Sequence, residues 1–129
     1  MTSQVFCVTL DNSAFSAQEI MDWNHVRHVP VVDSGYHLVG LITHRDLLKL
    51  MCSKYSYITN KTQNDLLKRI PIKEVMQKEV LTTRPDEPIV NTARMMFEKK
   101  IGCFPVINED RILVGIITEA DFVKIFSKL

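Results

Sequence analysis

The sequence predicts a mixed α/β fold (α+β in its layering) made of two copies of one β-α-β-β-α repeat, packed together as one module. Three observations carry this: the chain repeats itself, each copy alternates β-prone and helical runs, and a repeat of roughly 50 residues is too small to bury a core alone. Laid over itself at an offset of 75, Gly40-Leu41-Ile42-Thr43-His44-Arg45-Asp46 meets Gly115-Ile116-Ile117-Thr118-Glu119-Ala120-Asp121. The same offset aligns Pro30-Val31 with Pro105-Val106, Leu38-Val39 with Leu113-Val114, Lys49 with Lys124, and Asp11 and Met21 with Asp86 and Met96, without a gap. A length of 129 residues, 46% of them apolar, suits one compact body holding both copies.

Each copy opens on a short β-prone run, Val5 to Val8 or Val80 to Thr83. A helix follows, with one apolar face formed by Ala17, Ile20 and Met21 in the first copy and by Ile89, Ala93, Met96 and Phe97 in the second. Ser16 with Glu19 offers a capping box at the first helix start, with Ser13 as the alternative cap. Two strands come next, Val29 to Val32 with Leu38 to Ile42 and Phe104 to Ile107 with Leu113 to Ile117, joined by the turn signals Asp33-Ser34-Gly35 and Asn108-Glu109-Asp110. Each copy ends in a helix whose apolar positions are Leu47, Leu50 and Met51 or Phe122, Ile125 and Phe126. The first repeat is therefore placed at 1–54 and the second at 72–129. The linker between them, 55–71, carries Tyr55, Tyr57 and a short helix from Asp65 to Ile70 that Pro71 stops.

Composition excludes several functions. The formal charge is only +1 and the basic residues are scattered, which argues against a surface that coats nucleic acid or an anionic membrane. No apolar run approaches the roughly 18–20 residues of a membrane span, and the first fifteen residues lack a charged start followed by an apolar stretch. Cys7, Cys52 and Cys103 are widely spaced and odd in number, which fits reduced thiols in a cytoplasmic chain. No Gly-x-Ser-x-Gly, phosphate-binding Gly-Lys loop or Cys–His pairing is present, so no enzyme is expected. His25, His28, His37 and His44 lack zinc-ligand spacing. Trp23 aligns with Glu98, a polar position, which leaves it exposed or covered by a partner.

The duplicated Thr-x-x-Asp has a plain reading as a helix cap, in which the hydroxyl and the carboxylate each accept a backbone N–H. Thr62-Gln63-Asn64-Asp65 supplies a copy outside the repeat, read as such a cap. The two repeated copies differ because each follows a Gly-containing strand at the point where it meets a helix N-terminus. Such a junction presents N–H groups and the positive dipole end to an anion, and Asp one turn in suits the two hydroxyls of a ribose. Phosphate near Thr and ribose on Asp imply a nucleotide.

The run apolar-Pro-Val-apolar-Asp/Asn, a turn, then Leu-Val-Gly-apolar-Ile-Thr-x-x-Asp resembles the cystathionine-β-synthase (CBS) domain, and its tandem copies resemble a Bateman module. That resemblance covers essentially the whole chain. It implies two repeats related by pseudo-twofold symmetry and a regulatory module that binds adenosine-containing ligands, AMP, ADP, ATP or S-adenosylmethionine, in two clefts between the repeats, with no cofactor required. Carried over, one ligand would meet Thr43, Arg45 and Asp46, with adenine near Ile101 and Gly102. The other would meet Thr118, Ala120 and Asp121, with adenine near Val26 and Arg27. The family's phosphate-binding basic positions fall on Arg27 and His28, against Gly102 and Cys103 in the second copy, so the two sites are expected to differ. The resemblance also implies a homodimer formed through helices and an attached or partner effector domain; the competing reading is a dimerisation or docking scaffold with no small ligand. Met1 aligns with Met76, at the repeat boundary, which fits either a natural short protein or a regulatory segment of a longer one; the second is favoured because such modules commonly regulate attached proteins.

Overall fold

The computed structural model describes residues 5–54 and 60–128. Met1, Tyr55 and Tyr57 lie outside the described residues. The chain divides into two compact units, Phe6–Glu79 and a second built on Val80–Leu129. Ile72–Glu79, which the sequence reading places at the head of the second repeat, belongs to the first of these units.

In the first unit the order is β1 (Val8–Thr9), α1 (Ala14–Asn24), β2 (His28–Val32), β3 (Leu38–Thr43), α2 (His44–Lys54) and α3 (Asn60–Leu67), followed by a 3₁₀ turn at Ile72–Glu74. The sheet runs β1-β2-β3, with β1 parallel and β3 antiparallel to β2. The second unit repeats the plan with α4 (Ile89–Lys99), β4 (Cys103–Ile107), β5 (Leu113–Thr118) and α5 (Glu119–Ser127). Registers agree between copies: Val31 faces Gly40 as Val106 faces Gly115, and each hairpin shifts register one residue later.

The opening strands are shorter than expected and lie later. Val5 to Val8 gives way to Val8–Thr9, and Val80 to Thr83 shrinks to a single parallel bridge from Thr83 to Val106. Proline explains the truncation. The bonds around that bridge run from Thr83 N–H to the Pro105 carbonyl and from Ile107 N–H to the Thr83 carbonyl. The next rung upstream would need an N–H from Pro105, and proline has none. Pro30 imposes the same limit one repeat earlier, where pairing begins at Val8 with Val31.

Ser13, rather than Ser16, caps α1, its Oγ accepting the Ser16 N–H at 3.4 Å; the box between Ser16 and Glu19 does not form because Ser16 already lies inside the helix. The linker helix spans Asn60–Leu67 instead of Asp65 to Ile70, ending ahead of Pro71 because residues 70–72 pair with the α1 entry: Ala14 N–H donates to the Ile70 carbonyl at 2.7 Å and Ile72 N–H to the Asn12 carbonyl at 2.9 Å. Thr62 is therefore inside α3, so the Thr-x-x-Asp there is not a helix start, contrary to the cap reading. Among the described residues, four non-glycine residues adopt left-handed backbone at equivalent positions, His25 and Lys100 (φ 53 and 55°) closing α1 and α4, and Tyr36 and Arg111 (φ 67 and 65°) in the hairpin turns. In those turns the Oδ1 of Asp33 or Asn108 accepts two backbone N–H groups, which holds the chain in the bend.

The cores differ in kind. Around Val8, Ala17, Val31, Ile42 and Leu47 the first unit adds Leu67 from α3 and Ile72 from the 3₁₀ turn. The second gathers Met96, Phe104, Val106 and Ile117. Where the first has Val8 and Ala17, the second has Thr83 and Thr92, both buried, with their hydroxyls 3.4 Å apart. Thr83→Val alone should destabilise by about 1–3 kcal/mol, because it strands the Thr92 hydroxyl away from water. The double substitution Thr83→Val with Thr92→Ala should recover most of that loss; urea midpoints of the three variants check it.

Candidate functional site

Strand end, cap and helix start coincide in each unit. β2 begins opposite the end of β3, His28 facing Thr43, and His44 N–H donates to the Arg27 carbonyl at 2.9 Å. Thr43 N–H donates to Asp46 Oδ2 at 2.9 Å, and Asp46 N–H to Thr43 Oγ1 at 3.1 Å. In the second unit Cys103 faces Thr118, Glu119 N–H donates to the Gly102 carbonyl at 3.2 Å, Thr118 N–H donates to Asp121 Oδ2 at 2.8 Å, and the capping box is complete. Both repeated motifs therefore cap their helices. The N–H groups of His44 and Asp46, expected to face an anion, are already bonded within the chain, which narrows what the helix start offers to a ligand.

Within each unit the strand start lies beside the motif of its own repeat. Arg27 and His28 meet His44 and Thr43, and Gly102 and Cys103 meet Glu119 and Thr118. Arg27 and Arg45 are exposed, and Thr43 and Asp46 half-buried. Four positions on the first edge, Arg27, His28, His44 and Arg45, become Gly102, Cys103, Glu119 and Ala120 on the second. The first edge is rich in cationic and titratable groups, and the second has one acid and no base at these places.

Gln77 joins the first edge without a signal in the repeat. Its Nε2 lies 3.3 Å from Asp46 Oδ2 and 3.5 Å from Oδ1. Two backbone bonds, Leu41 N–H to the Gln77 carbonyl at 3.0 Å and Gln77 N–H to the Leu41 carbonyl at 2.8 Å, lay its segment along β3. Gly40 makes that approach possible: a Cβ there would come within 2.5 Å of Met76 Sδ and 2.9 Å of the Gln77 carbonyl oxygen. Sequence offset alone sets Gln77 against Thr2 and hides its place beside Asp46.

A family model for the CBS domain matches residues 1–53 and again residues 72–128, each match holding one hairpin and one Thr-x-x-Asp cap. The chain belongs to the CBS domain family. Its CBS repeats are 34% identical over 112 residues to homoserine O-acetyltransferase of Methanohalobium evestigatum, covering 87% of this chain and 20% of that protein. Protein MJ1225 of Methanocaldococcus jannaschii is 31% identical over 128 residues, 98% of this chain and 45% of the relative. The chain thus spans less than half the length of these two relatives. Among solved structures, AcuB of Vibrio cholerae superposes with a TM-score of 0.84 at 33% identity, covering 99% of this chain and 87% of that one. The CBS domain pair of protein MJ0100, in complex with 5′-methylthioadenosine and S-adenosylmethionine, gives 0.80 at 27% identity over 97% and 93%. CBSX2 in complex with AMP gives 0.81 at 26% identity over 99% and 92%. This chain is therefore a CBS pair in fold, of the regulatory kind, and no described helix is long and apolar enough to cross a membrane.

Cys103 ties the second CBS repeat's edge to its core. The residue is 2% exposed, and burial, with the nearby Asp121 charge second, pushes its thiol up to about 12. The folded chain thus holds this thiol neutral where the unfolded chain ionises it. Stability is unaffected below the ordinary thiol value of 9.0 and declines from there towards about pH 12. Cys103→Ala should flatten that decline in urea midpoints measured either side of pH 9, the ordinary thiol value. In the folded protein Cys103 should also react with a thiol reagent far more slowly than the half-exposed Cys7.

Proposed function

We propose that this CBS pair is a ligand-sensing module that binds adenosine-containing compounds on its two Thr-x-x-Asp edges, performs no chemistry on them, and passes occupancy to an attached or partner effector. One observation carries the proposal: in each unit Asp46 or Asp121 is fixed through one oxygen by the Thr backbone N–H, which preorients the carboxylate for the hydroxyls of a sugar. The ligands in the MJ0100 and CBSX2 structures, all adenosine compounds, support that class. The lengths of the relatives support an effector beyond the pair.

The charge difference between the edges supports different ligands on the two. Arg27, His28 and Arg45 favour a phosphate-bearing nucleotide on the first edge, since charge-assisted bonds to phosphate are the strong ones. Gly102, Cys103, Glu119 and Ala120 favour an uncharged or cationic adenosyl compound on the second, where Glu119 would repel phosphate. Gln77 would offer its amide to the ligand held by Asp46.

Thermal melts with AMP, ADP, ATP, S-adenosylmethionine and adenosine test the reading. At least one should raise the melting temperature, as about 2.7 kcal/mol of stabilisation accrues at a hundredfold excess over the dissociation constant. No shift from any of them at saturating concentration would leave the pair a scaffold without a small ligand. Asp46→Ala should weaken nucleotide binding by about ten- to a hundredfold, the cost of a charge-assisted hydrogen bond. It should also lower stability by about 1 kcal/mol through the lost cap. Asp65→Ala, on the exposed side of α3, should leave binding unchanged. Arg27→Ala should shift preference from ATP towards adenosine and reduce the salt dependence of binding.

A further inference from the structure

Asp46 and Asp121 occupy equivalent places, and each accepts the N–H of its threonine on Oδ2. Asp46 is in addition straddled by the Gln77 amide, whose Nε2 stands 3.3 Å from Oδ2 and 3.5 Å from Oδ1. An ionised carboxylate only accepts, so the amide must turn its nitrogen towards it. Both distances are long, as they are when one N–H is shared between two acceptors. The amide is nevertheless presented to Asp46 by its backbone. Two bonds to Leu41 fix the residue that carries it, and Gly40 leaves room for that segment to lie on β3. Oδ2 of Asp46 thus receives two N–H groups from the chain itself and is the more occupied of the two oxygens. Thr43, Asp46 and Gln77 all belong to the first unit.

We infer that Gln77 determines how the first edge reads a sugar: Asp46 accepts one hydroxyl on Oδ1, and accepts a second only by displacing the Gln77 amide from Oδ2. The inference rests on the adenosine-ligand reading above and refines it. A vicinal diol meets a carboxylate best with one O–H on each oxygen, and bonds to a charged acceptor are the strong kind. On the first edge one half of that match is already made by the protein. The bond a second hydroxyl forms there is offset by the bond it breaks, so one of the two sugar hydroxyls contributes little. The first edge therefore takes adenine nucleotides of the ribose series and of one monodeoxy series alike. Gln77 keeps its other N–H for the bound ligand, and its role in selection comes from the N–H that Asp46 already holds.

Calorimetric titration of the full chain carrying Asp121→Ala, which silences the second edge, tests it with AMP and ATP and with the 2′-deoxy and 3′-deoxy analogue of each. One deoxy analogue should bind within about twofold of its parent and the other roughly tenfold more weakly, the loss of one charge-assisted bond. Adding Gln77→Met keeps the length of the side chain and removes its donor. Because Gln77 is exposed, that variant should keep the melting temperature of its parent. With Oδ2 released, the parent nucleotide should bind about threefold more tightly and both deoxy analogues should fall roughly tenfold below it. Equal losses for the two analogues while Gln77 is present, or a pattern that Gln77→Met leaves unchanged, overturn the inference and leave the ligand reading standing. Failure of both AMP and ATP to bind the unsubstituted chain overturns the ligand reading, and this inference with it.

Discussion

The proline of each Pro-Val strand constrains everything around it. It lacks the N–H that would extend pairing with the opening strand, so that strand contributes two residues in one unit and a single bridge in the other. The hairpin partner is undisturbed, and its register runs on to His28 opposite Thr43 and Cys103 opposite Thr118. Because α2 and α5 start on the very next residue, that threonine is at once the last strand residue and the helix cap. Strand, cap and carboxylate are thus tied by adjacent bonds, and no loop intervenes to blur their geometry.

Much of this architecture was legible because it is periodic. The duplicated Gly-apolar-Ile-Thr-x-x-Asp identified both hairpins and both final helices, and the turn residues Asp33 and Asn108 marked the bends. What escaped was non-periodic. The opening strands read as β-prone because Val80 and Leu81 are apolar, yet propensity cannot show that a proline on the neighbouring strand withholds a donor. The linker helix was displaced because residues 70–72 pair with the α1 entry, a tertiary bond between segments far apart in sequence. Gln77 was missed for a related reason: repeat alignment compares equivalents, and this residue acts on the repeat that precedes its own. The cap on each motif was anticipated as the plain reading, and it coexists with the carboxylate orientation a sugar would need.

The two copies keep backbone and exchange chemistry. Left-handed residues recur at equivalent places although His25 and Lys100, or Tyr36 and Arg111, share little as side chains. On that shared frame the first edge became basic and the second neutral to acidic, while the helical face went from Gln18 and Asp22 to Ala93 and Phe97. One repeat has specialised towards charge, the other towards apolar contact.

The hydroxyl pair of Thr83 and Thr92 bears on how the two units breathe. A core that replaces Val8 and Ala17 by a pair of hydroxyls should yield more readily to local opening, which hydrogen exchange would register as weaker amide protection.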